Sequence, residues 1–257
     1  MIGKGVGKMI DGVDAVILAG GGEIEEEPVK ALISLDSRLM VDYVVDALRN
    51  SQKIEHIALV EHDGELRSFY GNEKGFFYAE QGATLLESFA AGVSALETAN
   101  PWILACTGDI PFLTTEAVDD FIAKCSEREA DIYYPIVRKE EVEKRFPCVK
   151  RTYVSLRDGI FTGGNLLLIR REIISRCLPI AEEFVRLRKK PAAMARLIGF
   201  GILWRYCFKL LTIADVEQRI SKLIDAKGLA VISSYPEIGV DVDKVSDLEL
   251  ARSIFEE

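Results

Sequence analysis

The chain has 257 residues, 49% hydrophobic and 28% charged, with a net charge of −9 at pH 7. That length and mixture fit one or two ordinary globular domains, and the acidic balance argues against a general nucleic-acid binder, which carries a basic domain. Two histidines disfavour a His-rich metal site or triad, and five scattered cysteines (Cys106, Cys125, Cys148, Cys177, Cys207) without a C-x-x-C pair fit a reducing cytoplasm better than a disulfide framework.

Residues Met1 to Asp11 lack a long apolar run, so no signal peptide is expected. Gly3 to Lys8 superficially suggest a phosphate loop, but they precede the first strand and Met9 stands where Ser or Thr is required. A first strand over Ala15–Leu18 then stops in Gly20, Gly21 and Gly22, with Lys30 downstream. Glycine lacks a Cβ, so backbone N–H groups in such a loop can cradle an anion. Lys30 could add a point charge against phosphate. A tight turn with an exposed lysine is the plainer alternative. A dinucleotide fingerprint is ruled out by Glu25, which stands at the third glycine position.

The rhythm then alternates. Helices are expected near Met40–Arg49, Leu85–Thr98 and Thr115–Arg128. Strands are expected at Ile57–Val60, Phe76–Ala79, Trp102–Cys106 and Ile132–Pro135. Thr84 and Glu87 form a capping box for the second helix. This pattern predicts a mostly parallel sheet covered on both faces, which binds ligands at the carboxyl ends of its strands. Gly20–Gly22 and Asp109, in Thr107-Gly108-Asp109-Ile110-Pro111, both follow strands and could reach one crevice. Gly108 is expected to permit an unusual backbone, and Asp109 to sit exposed at the strand tip. A carboxylate there suits Mg²⁺, although an ordinary turn or cap is an equal alternative.

Past Pro135 the pattern changes. Strands are expected at Tyr153–Leu156 and Asn165–Ile169, a helix opening at Arg170, helical stretches over 182–225, a strand at Ala230–Ser233 and a last helix starting near Asp247 behind a Ser246/Glu249 capping box. Asp241 and Asp243 alternate on a β-like stretch and so share a face. Either could cap the loop, or one could add a second carboxylate to a metal held by Asp109. No linker divides the chain, so a single domain over 1–257 with a helical insertion at 182–225 is expected.

Together these pieces resemble the molybdenum-cofactor guanylyltransferase-like (MobA-like) nucleotidyltransferases. The matching motifs are Leu18-Ala19-Gly20-Gly21-Gly22, Lys30, Thr107 to Pro111, Thr162-Gly163-Gly164-Asn165 and Asp241-Val242-Asp243, spread over residues 14 to 255. The resemblance implies an α/β, Rossmann-like three-layer fold of the nucleotide-diphospho-sugar transferase type. It implies transfer of NMP from an NTP to a phosphorylated or hydroxyl acceptor, with release of pyrophosphate. Leu18 to Gly22 and Lys30 would bind the triphosphate, Gln81, Gly82 and Ser88 the base, and Gly163, Gly164 and Asn165 the acceptor. Lys30 and Asp109 would be catalytic, and Mg²⁺ would sit on Asp109 with Asp243 or Asp241. The family's loop arginine is missing, and Glu23, Glu25, Glu26 and Glu27 stand in its place. Either another basic residue replaces it, or the substrate is not an ordinary NTP, or catalysis is lost. A non-catalytic nucleotide- or phosphometabolite-binding protein, and a glycosyltransferase using a nucleotide sugar, are the alternative functions.

One stretch lies outside this scheme. From Phe184 to Ala214 no acidic residue occurs, while Arg186, Arg188, Lys189, Lys190, Arg196, Arg205 and Lys209 alternate with apolar and aromatic residues such as Met194 and Trp204. The longest apolar run there, Leu197–Trp204, falls short of a membrane span. It reads either as a helical subdomain with a solvated basic face or as a contact with an anionic membrane or a lipid-linked acceptor through 186–209. A soluble cytoplasmic protein that makes no nucleic-acid contact is expected, with a homodimer left open.

Overall fold

The computed structural model describes residues 9–21, 30–71, 73–147, 149–187 and 196–255. Gly3–Lys8, Gly22, the Glu23–Glu27 run, Cys148, Arg188, Lys189, Lys190 and Met194 lie outside the described residues.

The strands are β1 (Val13–Leu18), β2 (Ser34–Leu35), β3 (Arg38–Leu39), β4 (Ile54–Glu61), β5 (Phe76–Glu80), β6 (Trp102–Thr107), β7 (Ile132–Arg138), β8 (Val154–Leu156), β9 (Gly159–Gly163), β10 (Leu166–Arg170) and β11 (Gly228–Ser233). The helices are α1 (Met40–Arg49), α2 (Glu65–Tyr70), α3 (Leu85–Ala95), α4 (Thr115–Cys125), α5 (Lys139–Arg145), α6 (Ile174–Leu187), α7 (Phe200–Cys207), α8 (Ile213–Ile224) and α9 (Val245–Phe255). Nine strands form one sheet in the order β5-β4-β1-β6-β10-β7-β9-β8, with β11 on β7. The β5, β4, β1 and β6 strands run parallel, as does the β7–β11 pair, and β10 inserts antiparallel between β6 and β7.

Period-2 alternation divides each strand between two covering layers. Val13, Ala15 and Ile17 pack with Val44, Leu48 and Phe121 of α1 and α4. Val16, Ala58 and Ile103 pack on the other face with Phe89 of α3, Cys177 of α6 and Ile224 of α8. Each such large side chain contributes roughly 1.5–3 kcal/mol of burial. Gly92 lets α3 lie close to the sheet, since a Cβ there would stand 2.5 Å from Val16 Cγ1 and 2.7 Å from Val60 Cγ2. The expected three-layer α/β fold is therefore observed. The helices α6 and α8 belong to its layers, and residues 196–211 between them stand apart.

Several boundaries differ from expectation. The Thr84 hydroxyl accepts from Glu87 N–H as its motif predicts, but the reciprocal bond of a capping box goes one residue further back, the Glu87 carboxylate accepting from Ala83 N–H at 2.8 Å. The last helix instead starts at Val245, so Ser246 is inside it, and the Asp247 carboxylate takes the capping role by accepting from Asp243 N–H at 3.2 Å. The strand β7 continues through Pro135 to Arg138. Pro135 falls where β7 changes partner from β10 to β9, and its carbonyl accepts from Gly164 N–H at 2.9 Å. Bulges of this kind tolerate proline. No helix among the described residues is long and apolar enough to cross a membrane.

The end of the sheet opposite the carboxyl ends of its parallel strands is held by Asp14, which is fully buried. It accepts from Asn100 Nδ2 at 2.8 Å, Arg171 Nη2 at 2.9 Å and the Thr98 hydroxyl, and bonds His56 Nδ1 at 2.9 Å. Removing one carboxylate strands several half-buried donors, a charged guanidinium among them. Asp14→Ala is therefore expected to cost about 3 kcal/mol in urea unfolding, and a loss under ~1 kcal/mol would contradict this assignment.

Candidate active site

The strands β1 and β6 end level with one another, Leu18 opposite Thr107. Both chains then turn out at the carboxyl edge. Gly108 N–H donates to the Leu18 carbonyl at 3.0 Å, and Ala19 N–H donates to the Val60 carbonyl at 2.9 Å. Gly108 does not have a positive φ, which corrects the expectation of an unusual backbone. A Cβ there would lie 3.1–3.3 Å from Ala19 and from Ala31 Cβ, so close packing is what requires glycine. That packing brings Asp109 beside Lys30, on a short 3-10 turn over Lys30–Leu32.

The third part of the site arrives from far along the chain. Asn165 follows the bulge between β9 and β10, and both its N–H and its Nδ2 donate to the Ile238 carbonyl, at 2.9 and 3.2 Å. Past Ile238 the chain runs extended, and Val242 N–H donates to the Asp109 carbonyl at 2.9 Å. Val240, Val242 and Leu248 are sealed in a small apolar cluster with Phe112 and Phe146. With Val242 pointing into that cluster, Asp241 and Asp243 both flank Asp109 on the open side.

One carboxylate oxygen from each of Asp109, Asp241 and Asp243 lies within 4.8 Å of the others. Two cations answer them. Lys30 Nζ is 2.5 Å from Asp243 Oδ1 and 3.6 Å from Asp109 Oδ2, and Arg151 pairs through its guanidinium with both the carboxylate and the carbonyl of Asp241. Burial alone would lower the Lys30 pKa, but the Asp243 hydrogen bond and the surrounding carboxylates raise it above the ordinary lysine value. Burial pushes Asp241 up to about 6, with Arg151 opposing and the neighbouring Asp243 and Asp109 charges adding to the rise. Burial also pushes on Asp243, but the Lys30 hydrogen bond and charge outweigh it and hold that carboxyl below its ordinary value.

Clustered carboxylate oxygens are the hard donors that Mg²⁺ takes. Asp109 Oδ1 is buried and has no hydrogen-bond partner among the described residues, so a lone pair in this cluster is available to a cation. Asp109, Asp241 and Asp243 could thus hold Mg²⁺.

Beside the cluster lies the glycine loop. The N–H groups of Gly20 and Gly21 donate to no described residue. Gly21 faces open space, whereas a Cβ on Gly20 would stand 2.5 Å from Gln81 Oε1. Gln81 therefore lies directly against the loop. Gly82 N–H donates to the buried Ser88 hydroxyl at 3.0 Å, so Ser88 fixes the shape of the loop that Gln81 occupies. On the far side, Gly163 and Gly164 make the bulge. A Cβ on Gly163 would overlap the Tyr134 hydroxyl, and one on Gly164 would stand 2.7 Å from Ile238 Cγ2.

Arg151 and Tyr134 were not anticipated. Tyr134 is 43% exposed over Gly163; the alternation of β7, which buries Tyr133, is the signal that could have found it. Nothing local marks Arg151, whose partner is remote in sequence. Removing a group that orients a metal ligand costs about 10–100-fold in metal affinity. Unlike Lys30, Arg151 also holds the ligand's main chain and opposes the burial that pushes the Asp241 carboxyl up, so its loss should outweigh the removal of a competing cation: Arg151→Leu should raise the Mg²⁺ concentration needed for half-maximal protein-bound metal by that factor, read by calorimetric titration.

The family model for the MobA-like NTP transferase domain matches residues 15–196. The chain belongs to this family. A solved hypothetical transferase from Thermus thermophilus is 38% identical to this MobA-like domain, with a TM-score of 0.81 over 91% of this chain and 98% of that one. A probable molybdenum cofactor guanylyltransferase from Natranaerobius thermophilus is 25% identical over 131 residues, half of this chain, and the match spans 62% of that relative's length. The 4-diphosphocytidyl-2C-methyl-D-erythritol synthase of Anaerococcus prevotii shares the fold, with a TM-score of 0.61 at 14% identity over 96% of this chain. The MobA-like match starts at β1 and takes in the glycine loop, Lys30, Asp109 and the β9–β10 bulge, whereas Asp241 and Asp243 lie beyond it.

Proposed function

We propose that this protein is a Mg²⁺-dependent nucleotidyltransferase that moves NMP from an NTP to a phosphorylated or hydroxyl small-molecule acceptor. An acceptor oxygen bonds to the α-phosphorus, the α–β phosphoanhydride bond breaks and pyrophosphate leaves; where the acceptor is a hydroxyl, its proton passes to solvent. The observation that carries this reading is the meeting of Asp109, Asp241 and Asp243 with Lys30 at the mouth of a glycine loop.

Bound Mg²⁺ would neutralise charge on the transferring phosphate. The chain's own part is positioning, which is most of what phosphoryl-type transfer requires. The Gly20 and Gly21 N–H groups would receive phosphate oxygens, and Lys30 would turn from Asp243 toward the triphosphate. Gln81, lodged against Gly20, would meet the base. Gly163, Gly164 and Asn165, with the Tyr134 ring, would border the acceptor. A cytoplasmic location accords with the spread of cysteines, of which Cys106, Cys125 and Cys177 are buried free thiols.

The test is pyrophosphate release with each of the common NTPs and Mg²⁺ across a panel of phosphorylated acceptors. Release that requires one NTP and one acceptor class supports the transferase. Saturable nucleotide binding with no release under any pairing would support a non-catalytic binding protein instead.

A further inference from the structure

Residues 196–211 project from the layers that cover the sheet. Arg219 of α8 fixes their base by donating to the carbonyls of Leu197, at 2.8 Å, and Ile198. The buried Leu211 closes the segment, its carbonyl accepting from Arg157 N–H at 2.8 Å. Between these anchors α7 buries none of its residues. Phe200, Leu203, Trp204, Cys207 and Phe208 recur at helical spacing and so share one face. Phe200 is 72% exposed, Trp204 57% and Phe208 61%, and the Trp204 and Phe208 rings pack with centroids 4.7 Å apart. Single exposed apolar residues are ordinary, but a contiguous apolar face marks an interaction site.

The charge around this face identifies the partner. Arg196 and Lys209 flank this helix in the sequence and Arg205 lies within it, and no acidic residue occurs from 196 to 214, in a chain of net charge −9. Arg205 pairs with Asp215 at 2.8 Å; Arg196 and Lys209 have no ion-pair partner among the described residues. A second copy docking through the same face would set these cations against their own images, because a two-fold interface is self-complementary. Anionic headgroups instead complement them, and tryptophan and tyrosine, here Trp204 and Tyr206, are favoured at the boundary between headgroups and acyl chains.

We propose that residues 196–211 seat this protein on the surface of an anionic lipid bilayer. The apolar face of α7 enters the headgroup–acyl boundary, and Arg196 and Lys209 lie against lipid phosphates. Apart from Arg196, this surface lies beyond the residues that the family model matches.

The test is flotation of the full chain with vesicles of phosphatidylcholine alone or mixed with phosphatidylglycerol, followed by tryptophan emission. Trp204 is one of two tryptophans, and the other, Trp102, is 5% exposed, so a blue shift reports insertion of Trp204. Two unpaired cations at roughly fivefold each give an expected preference of about 30-fold for the mixed vesicles. The Arg196→Glu/Lys209→Glu variant should lose that preference, and Trp204→Glu/Phe208→Glu should lose binding. Unchanged circular dichroism would show that both remain folded. Equal recovery on both vesicle types, no recovery on either, or a concentration-dependent dimer abolished by Trp204→Glu would overturn the proposal.

Discussion

Asp109→Asn is expected to lower pyrophosphate release by about 1,000-fold, equivalent to ~4 kcal/mol of transition-state stabilisation, while the melting temperature stays close to that of the native protein. The two effects separate because the main chain and the side chain of Asp109 do different work. The Asp109 carbonyl accepts from Val242 N–H and ties the last extended segment to the loop after β6, a bond that asparagine keeps. The side chain reaches into the carboxylate cluster, where Oδ1 has no described partner and Oδ2 stands 3.6 Å from Lys30 Nζ. Asparagine preserves the volume but substitutes a neutral amide, which gives a divalent cation one uncharged oxygen and an amide nitrogen whose lone pair is delocalised and cannot ligate. Single-turnover kinetics over a Mg²⁺ series, with thermal melts alongside, check this. A rate within about tenfold of native, with an unaltered Mg²⁺ dependence, would remove Asp109 from the centre of the site.

The parts of this site that could be read from sequence are those whose signal is local. A buried strand that stops in glycines is visible at Val16–Gly21, and so is a carboxylate just past an apolar strand at Asp109. The alternation of Asp241 and Asp243 correctly placed both on one side. Contacts that topology creates were invisible. Arg151 follows no motif, and it meets Asp241 only because the chain returns along β7 and then runs extended past Asp109. Close packing against Ala19 and a positive φ both select glycine, so the residue type at Gly108 does not by itself separate the two roles. The helix expected to open at Arg170 begins as a 3-10 turn at Arg171 and continues as α6 from Ile174; what the sequence hides is its length, because it runs through Pro179, which ordinarily breaks a helix. At the last helix two acidic residues could have capped, and Asp247, two residues before Glu249, reaches back to the chain.

Lys30→Gln should act in two opposite directions that one protein sample can reveal. Lys30 is mostly buried and is the only lysine paired with Asp109 and Asp243 among the described residues. Removing its charge leaves the carboxylates of Asp109, Asp241 and Asp243 facing one another with Arg151 alone to offset them. Breaking a fully buried pair costs 3–5 kcal/mol. Asp243 is half-exposed, so about 2 kcal/mol is expected here, a fall in Tm of roughly 4–8 °C for a chain of this size. The same change frees Asp243 to bind a cation. Added Mg²⁺ should therefore raise the Tm of the variant by more than that of the native protein, following RT ln(1 + [Mg²⁺]/Kd) with a smaller Kd. Activity should move the other way. With no lysine to meet the triphosphate, pyrophosphate release should fall by about 100-fold or more even at saturating Mg²⁺, as when a single preorganised donor is lost. Melting curves and release assays run across one Mg²⁺ series measure all of this. If Mg²⁺ stabilised native and variant equally, Lys30 and the metal would not be sharing Asp243, and the ion pair seen here would be a structural contact alone.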